Sequence, residues 1–305
     1  MYMKPEWLKI RGNSMKERDE VMQMIADLKL NTVCQEAACP NMVECFGRRT
    51  ATFMILGATC TRGCAFCNVI EGMPSNIDEN EGFEVAKAVK KLNLKHVVVT
   101  SVTRDDLEDG GAGHFANTIK AIKELNHDTS IEVLIPDLKG EQNALETVIK
   151  AKPHIIAHNI ETIESLYNKV RPQANYERSL EVLSFIKRRG DHIYTKSGMM
   201  LGLGENFDEI IQVLKDLRSV GCDLLTVGQY LAPSKQHYAM ARYVHPDEFE
   251  QIKKVALKLG FLHVASGPLV RSSYHADDAM KEAKLFDFDI NDLESKTISD
   301  SFYVT

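Results

Sequence analysis

From Thr50 onward the chain repeats one pattern: a short, nearly continuous apolar run, a polar turn, then a longer stretch whose apolar residues recur every three or four positions. Apolar runs rich in β-branched residues predict strands covered on both faces, and the 3.6-residue recurrence predicts helices that cover them. The strands read as Ala51–Leu56, His96–Thr100, Ile131–Ile135, His154–Ala157, Tyr194–Leu201 and Leu224–Gln229, with a seventh at His263–Ser266. In one helix Ile210, Val213, Leu214 and Leu217 share a face, and in another Phe249, Ile252, Val255, Ala256 and Leu259 do the same. His245-Pro246-Asp247 starts the latter and Gly260 stops it. About six strand–helix units in succession require a parallel sheet with right-handed crossovers and outer helices. A doubly wound sheet and a partial barrel both satisfy this.

The pattern divides the chain into an N-terminal extension, 1–49, with no clear alternation; the repeating part, 50–262; and a C-terminal extension, 263–305. The tail from Ala283 is acidic with scattered aromatics and reads as partly disordered.

The first strand runs directly into C-T-R-G-C-A-F-C, in which Cys60, Cys64 and Cys67 stand as C-x3-C-x2-C. Three thiolates at this spacing can hold a cube of iron and sulfide with one iron left open, and four protein ligands would leave no position for a substrate. Structural zinc fits poorly, because its ligands come as pairs that total four. Disulfides fit worse, since seven cysteines are an odd number in a chain too long to need staples. A second group, Cys34, Cys39 and Cys45, lies in N-T-V-C-Q-E-A-A-C-P-N-M-V-E-C, so six of the seven cysteines fall within 34 residues. The polar surroundings favour ligation over core packing; a single site sharing four of the six is an alternative. Cys222, in V-G-C-D-L-L, reads as core.

If the active site lies at the C-terminal edge of the sheet, polar residues at other strand ends become candidates. Arg104, Asp105 and Asp106 follow the second strand, where a solvated charged loop is the plainer reading. Asn159 and Glu161 follow the fourth at alternating positions and suit ribose hydroxyls, or else form a helix N-cap with a first-turn acid. Gln229 and Tyr230 end the sixth. Near the C-terminus R-S-S-Y-H-A, 271–276, is dense in polar chemistry, although a serine N-cap would also explain it.

Composition narrows the class. With 44% hydrophobic and 26% charged residues in 305, the chain can bury a large core. A net charge of −6 excludes a general nucleic-acid binder. No apolar run approaches a membrane span and no signal-peptide core opens the chain, so a reducing, cytoplasmic location is expected.

The loop at Cys60–Cys67, with aromatic Phe66 before its last cysteine, resembles the signature of the radical S-adenosylmethionine (SAM) enzymes, and Gly198, Met200, Gly202 and Glu205 resemble the stretch by which they flank adenine. Together with C-x4-C-x5-C at 34–45 and R-S-S-Y-H-A, and with K-P-E-W-L-K, A-T-F-M-I-L-G, R-D-D-L, H-N-I-E-T and V-G-Q-Y-L, the chain from about Trp7 to Ala276 resembles the lipoyl synthase family. That resemblance implies a partial (β/α)6 barrel and two 4Fe-4S clusters. Cys60, Cys64 and Cys67 would hold the cluster that splits SAM, with Asn159, Glu161 and the glycine-rich strand around the cofactor. Cys34, Cys39, Cys45 and a serine, taken as Ser273 rather than Ser272, would hold an auxiliary cluster that surrenders sulfur. The implied reaction puts two sulfurs at C6 and C8 of an octanoyl chain on a lipoyl carrier domain, such as the glycine-cleavage H protein or the acyltransferase subunits of 2-oxo acid dehydrogenases. An electron donor such as ferredoxin or flavodoxin and an iron–sulfur carrier for cluster repair would be further partners. Other radical SAM sulfur inserters lack the combination of R-S-S-Y-H-A with the N-terminal triplet. A two-cluster electron carrier has little use for so large an α/β scaffold.

Overall fold

The structure, a computed structural model, describes residues 5–8, 19, 22–23, 25–28, 30–36, 39, 41, 45, 52–273 and 276. His275 and the acidic tail lie outside the described residues, as does most of the N-terminal extension.

Eight strands form one sheet: β1 (Asn31–Thr32), β2 (Thr52–Ile55), β5 (His96–Ser101), β6 (Ser130–Leu134), β7 (Ile155–Ala157), β8 (Tyr194–Leu201), β9 (Leu224–Gln229) and β10 (His263–Gly267), in that spatial order. A small pair, β3 (Thr59–Cys60) and β4 (Ile70–Glu71), lies between β2 and the first barrel helix. All neighbours in the large sheet are parallel except β1 against β2. The crossovers carry α2 (Glu81–Leu92), α3 (Ala112–Leu125), α4 (Gln142–Lys150), α5 (Tyr167–Val170) with α6 (Tyr176–Arg189), α7 (Phe207–Ser219) and α8 (Pro246–Lys258); a short α1 (Val33–Glu36) follows β1. Six strand–helix units and a seventh parallel strand, β10, make a partial barrel whose end strands do not pair. β8 and β9 begin and end where the apolar runs place them, because both are covered on two faces and their few polar side chains are themselves buried.

Local signals set the helix ends. Asn206 and Glu209 form a reciprocal capping box at the start of α7. At α8 the His245 ring accepts the Asp247 amide behind Pro246 at the first turn, and Gly260 takes the left-handed conformation just past the end. The helices cover the sheet with two large apolar clusters, one under α2 to α4 and one under α6 to α8. Cys222 is fully buried in the second, as expected of a core cysteine.

The barrel interior also holds charge. Lys196 and Gly198 alternate on the inner face of β8, and Lys196 Nζ meets Glu132 Oε1 of β6 at 2.8 Å, with His96 Nε2 3.5 Å from the same carboxylate. Burial alone raises the Glu132 pKa, but Lys196 and His96 outweigh it and keep the carboxylate ionised.

The loop 57–72 is tied down by a second network. Arg62 forks onto Asp105 at 2.6 and 2.9 Å and reaches Asp137 Oδ1 at 2.8 Å, while Arg178 contacts the other Asp137 oxygen at 3.3 Å. Arg104, 3% exposed, forks onto Asp106 and donates to the Leu56 carbonyl. The solvated-loop reading of 104–106 is therefore corrected: these charges join the ends of β2, β5 and β6 around the cysteine loop. Burial pushes the Asp137 carboxyl up, but Arg62 and the Lys139 amide bring it down to about 2.

Two outcomes follow for stability. Lys196→Ala, which strands a buried carboxylate, is expected to cost about 3–5 kcal/mol in urea unfolding, whereas Glu132→Leu with Lys196→Met recovers most of that loss. The depressed Asp137 pKa adds stability that is full above its unfolded value near 4 and fades as pH falls toward 2. Between pH 5 and 2 the parent should lose on the order of 2 kcal/mol more than Asp137→Asn, read from paired denaturation curves.

Candidate active site

At the C-terminal edge of the sheet lies a cavity of about 420 Å³, within the range that holds a nucleoside-sized ligand. Its wall includes Phe66 and Cys67 from the cysteine loop, Asn159 and Glu161 after β7, Gly198 and Met200 of β8, and Gln229 and Tyr230 after β9. It also includes Cys34 and Cys39 from the N-terminal extension and Ser272 and Ser273 from the C-terminal one. Both cysteine groups thus border one space.

Cys60 ends β3, and its sulfur accepts the backbone amides of Arg62 at 3.4 Å and Thr103 at 3.3 Å, which suits a thiolate ligand. The turn from Cys64 to Cys67 closes through the Cys67 amide to the Cys64 carbonyl. The loop is held along its length: Gly63 donates to Gln173, Ala65 donates to Val170 and accepts from Tyr238, and His237 Nε2 donates to the Cys67 carbonyl at 3.1 Å. Burial pushes the Cys67 thiol up to about 11 and also raises Cys64, where the Arg171 guanidinium works in the opposite direction. In the other group burial takes Cys34 to about 11, with Cys39 adding to it. Cys39 thus lies near Cys34, and Cys60 near Cys64 and Cys67.

None of the seven cysteines forms a disulfide. Among the described residues no three His, Cys, Asp or Glu side chains close on a point as one bound ion requires. The buried and half-buried thiols set around an open space, with amides directed at one sulfur, fit clusters of several irons.

Asn159 and Glu161 do not cap a helix; the next helical turn is Glu164–Leu166, and its cap is Ile163. The chain after β7 instead keeps bonding to β8, from the Glu161 amide to the Gly198 carbonyl and from the Met200 amide to the Glu161 carbonyl. This holds Glu161 at φ +64°, a left-handed conformation costly for a residue with a side chain, and Asn159 Nδ2 donates to its carboxylate at 2.9 Å. Burial raises the Glu161 pKa, opposed by Arg171. Gly198 leaves room where a Cβ would press on Thr226 Oγ1 at 2.6 Å and Asn159 Oδ1 at 2.9 Å.

The glycine-rich stretch divides. Gly198 and Met200 wall the cavity, but Gly202 and Glu205 do not. The Glu205 carboxylate accepts the amides of Gly202, Leu203 and Gly204 at 2.6, 2.9 and 3.1 Å, so its acceptors serve the turn rather than a ligand. Gly202 sits at φ +95°, where a Cβ would strike the Gln229 amide and the Arg242 carbonyl. In this structure both residues shape the strand end.

Arg171 went unnoticed in the sequence. It donates to the Asn159 and Ile160 carbonyls, lies over the Tyr167 ring at 5.3 Å, faces Cys64 and Glu161, and has a buried Nε without a partner among the described residues. The pre-proline position in K-V-R-P is the only local signal for it. Tyr230 donates to the Tyr238 carbonyl at 2.7 Å, the local bond expected of a buried tyrosine, and still borders the cavity.

The Radical SAM superfamily pattern matches residues 54–217. The lipoyl synthase of Caldicellulosiruptor saccharolyticus is 57% identical over 91% of this chain and 98% of its own, and that of Alkaliphilus metalliredigens 55% identical over 92% and 96%. Among solved structures, HydG, a maturase of the [FeFe]-hydrogenase, aligns with a TM-score of 0.56 at 14% identity over 86% of this chain and 73% of its own, a likeness of fold. Relatives this similar over nearly the full length, with the cavity between two cysteine groups, place the chain in the lipoyl synthase family of radical SAM enzymes, whose cofactors are SAM and 4Fe-4S clusters.

Proposed function

We propose that the chain inserts two sulfur atoms, at C6 and C8, into an octanoyl group carried on a lipoyl domain. The observation that carries this reading is the single cavity bordered by Cys67 on one side and by Cys34, Cys39 and Ser273 on the other. A substrate carbon held there is within reach of both metal sites. Cys60, Cys64 and Cys67 would hold one cluster; Cys34, Cys39, Cys45 and Ser273 the other. When bound, the clusters and SAM supply one-electron chemistry able to break an unactivated C–H bond, and the sulfur to be inserted.

The chain's own residues orient and exclude. Asn159 and the strained Glu161 would offer polar groups to the ribose of SAM, Gly198 would admit its close approach, and Phe66 and Met200 would give the adenine an apolar face. Arg171 supplies positive charge beside Cys64 where burial disfavours thiolate. Val33, Leu231 and Val270 continue the apolar wall and keep water from the reacting carbon. Residues 1–49 and 263–305 would serve the auxiliary cluster and 50–262 the SAM cluster. The substrates are lipoyl carrier proteins, with the glycine-cleavage H protein and 2-oxo acid dehydrogenase acyltransferase subunits as the class. Ferredoxin or flavodoxin would donate electrons, and an iron–sulfur carrier would rebuild the auxiliary cluster. No described helix is long and apolar enough to cross a membrane, and the reduced thiols suit the cytoplasm.

The test is an anaerobic reaction of the reconstituted chain with SAM, a reductant and an octanoylated carrier domain, reading carrier mass together with 5'-deoxyadenosine. Two sulfurs gained on the carrier are expected; 5'-deoxyadenosine with an unchanged carrier overturns the substrate assignment. Cys60→Ala is expected to abolish 5'-deoxyadenosine formation, while Cys34→Ala retains part of it and inserts no sulfur. Equal loss in both would contradict separate roles for the two triplets.

A further inference from the structure

A-T-F-M-I-L-G, at the start of the barrel, contains a residue for which the reaction as described has no use. Thr52 is the first residue of β2, 6% exposed, and it touches both halves of the second metal site. Its hydroxyl donates to Ser273 Oγ at 2.7 Å, across 221 residues of sequence. Its backbone amide lies beside Cys34 and favours that thiolate. The antiparallel register of β1 on β2, Thr32 opposite Phe53, brings Cys34 beside this end of β2. From the other direction, Gly228 of β9 has no Cβ to collide with the Val270 carbonyl, so the chain carrying Ser272 and Ser273 passes closely over the sheet. Among the described residues Ser272 has no tie comparable to that of Ser273.

We propose that Thr52 is the positioning residue of the auxiliary site: from the first barrel strand it holds Ser273, rather than Ser272, at the ligating position and aligns it with Cys34. The inference rests on the proposed ligation by Ser273. A serine oxygen bound to iron has given up its proton and can only accept, so the Thr52 hydroxyl is fixed as donor. Outer hydrogen bonds of this kind orient a ligand and also draw electron density from it. Thr52 therefore keeps the serine oxygen in place at the iron. Because the amide of Thr52 serves Cys34 and the side chain serves Ser273, the two duties separate by substitution.

Thr52→Val keeps volume and amide but removes the donor; Thr52→Ser keeps the donor. Both are examined in a chain with Cys60, Cys64 and Cys67 replaced by Ala, so that iron content and the EPR spectrum of the reduced protein report the auxiliary site alone. Under a chelator, Thr52→Val is expected to lose iron about 10-fold faster than the parent, the usual cost of removing an outer partner of a metal ligand. Its EPR spectrum should shift, circular dichroism should be unchanged, and Thr52→Ser should behave as the parent. Ser273→Ala should match Thr52→Val, and the double variant should be no worse than either. If Ser273→Ala loses iron and Thr52→Val does not, the serine ligand stands and the role of Thr52 is wrong. If Ser273→Ala retains iron and spectrum, the serine assignment fails and the inference with it. Additive losses in the double variant, or failure of Thr52→Ser to rescue, would mean that Thr52 acts through the fold instead.

Discussion

The fork of Arg62 onto Asp105 and its reach to Asp137 join the cysteine loop to the ends of β5 and β6. A loop between β2 and α2 has no regular structure of its own beyond the two-residue β3–β4 pair, yet it must hold three sulfurs around a common space. Backbone bonds fix its atoms to distant segments one at a time, and the Arg62 side chain, from inside the loop, ties it to the ends of two strands at once. Burial makes the anchor strong and also makes it intolerant: with Asp137 only 1% exposed, loss of either charge leaves the other without water.

The same accounting of charge runs through the rest of the site. Thiols buried among apolar neighbours resist ionisation, as the raised Cys34, Cys64 and Cys67 values reflect, whereas metal ligation requires the thiolate. Arg171 beside Cys64 and Arg271 near Cys39 lie where positive charge offsets that cost. Burial of the guanidinium lowers the Arg271 pKa while Cys39 opposes the shift. A barrel with unpaired end strands offers the room for these groups, because segments from both chain ends can reach the cavity.

Two chain ends meeting over one sheet edge also give the reaction its order in space. The cysteine loop and β7 to β9 form one side of the cavity, and Val33, Cys34 and Cys39 with residues 270–273 form the other. A chain threaded between them lies beside both groups at once, as two insertions at C6 and C8 of one tether require.

The sequence alone determined the barrel strands, the two clearest helices, both cysteine groups and the core position of Cys222. These features depend on near neighbours: continuous apolar runs for strands buried on both faces, 3.6-residue recurrence for helices, and cysteine spacing within one loop. Only the tertiary structure decided that Arg104 is buried and that Asp105 anchors Arg62, that Glu205 caps a turn instead of facing the cavity, that Arg171 is central, and that Thr52 reaches Ser273. Each of these depends on which strand ends converge, and a polar residue reads the same in sequence whether its partner is water or a group 221 positions away.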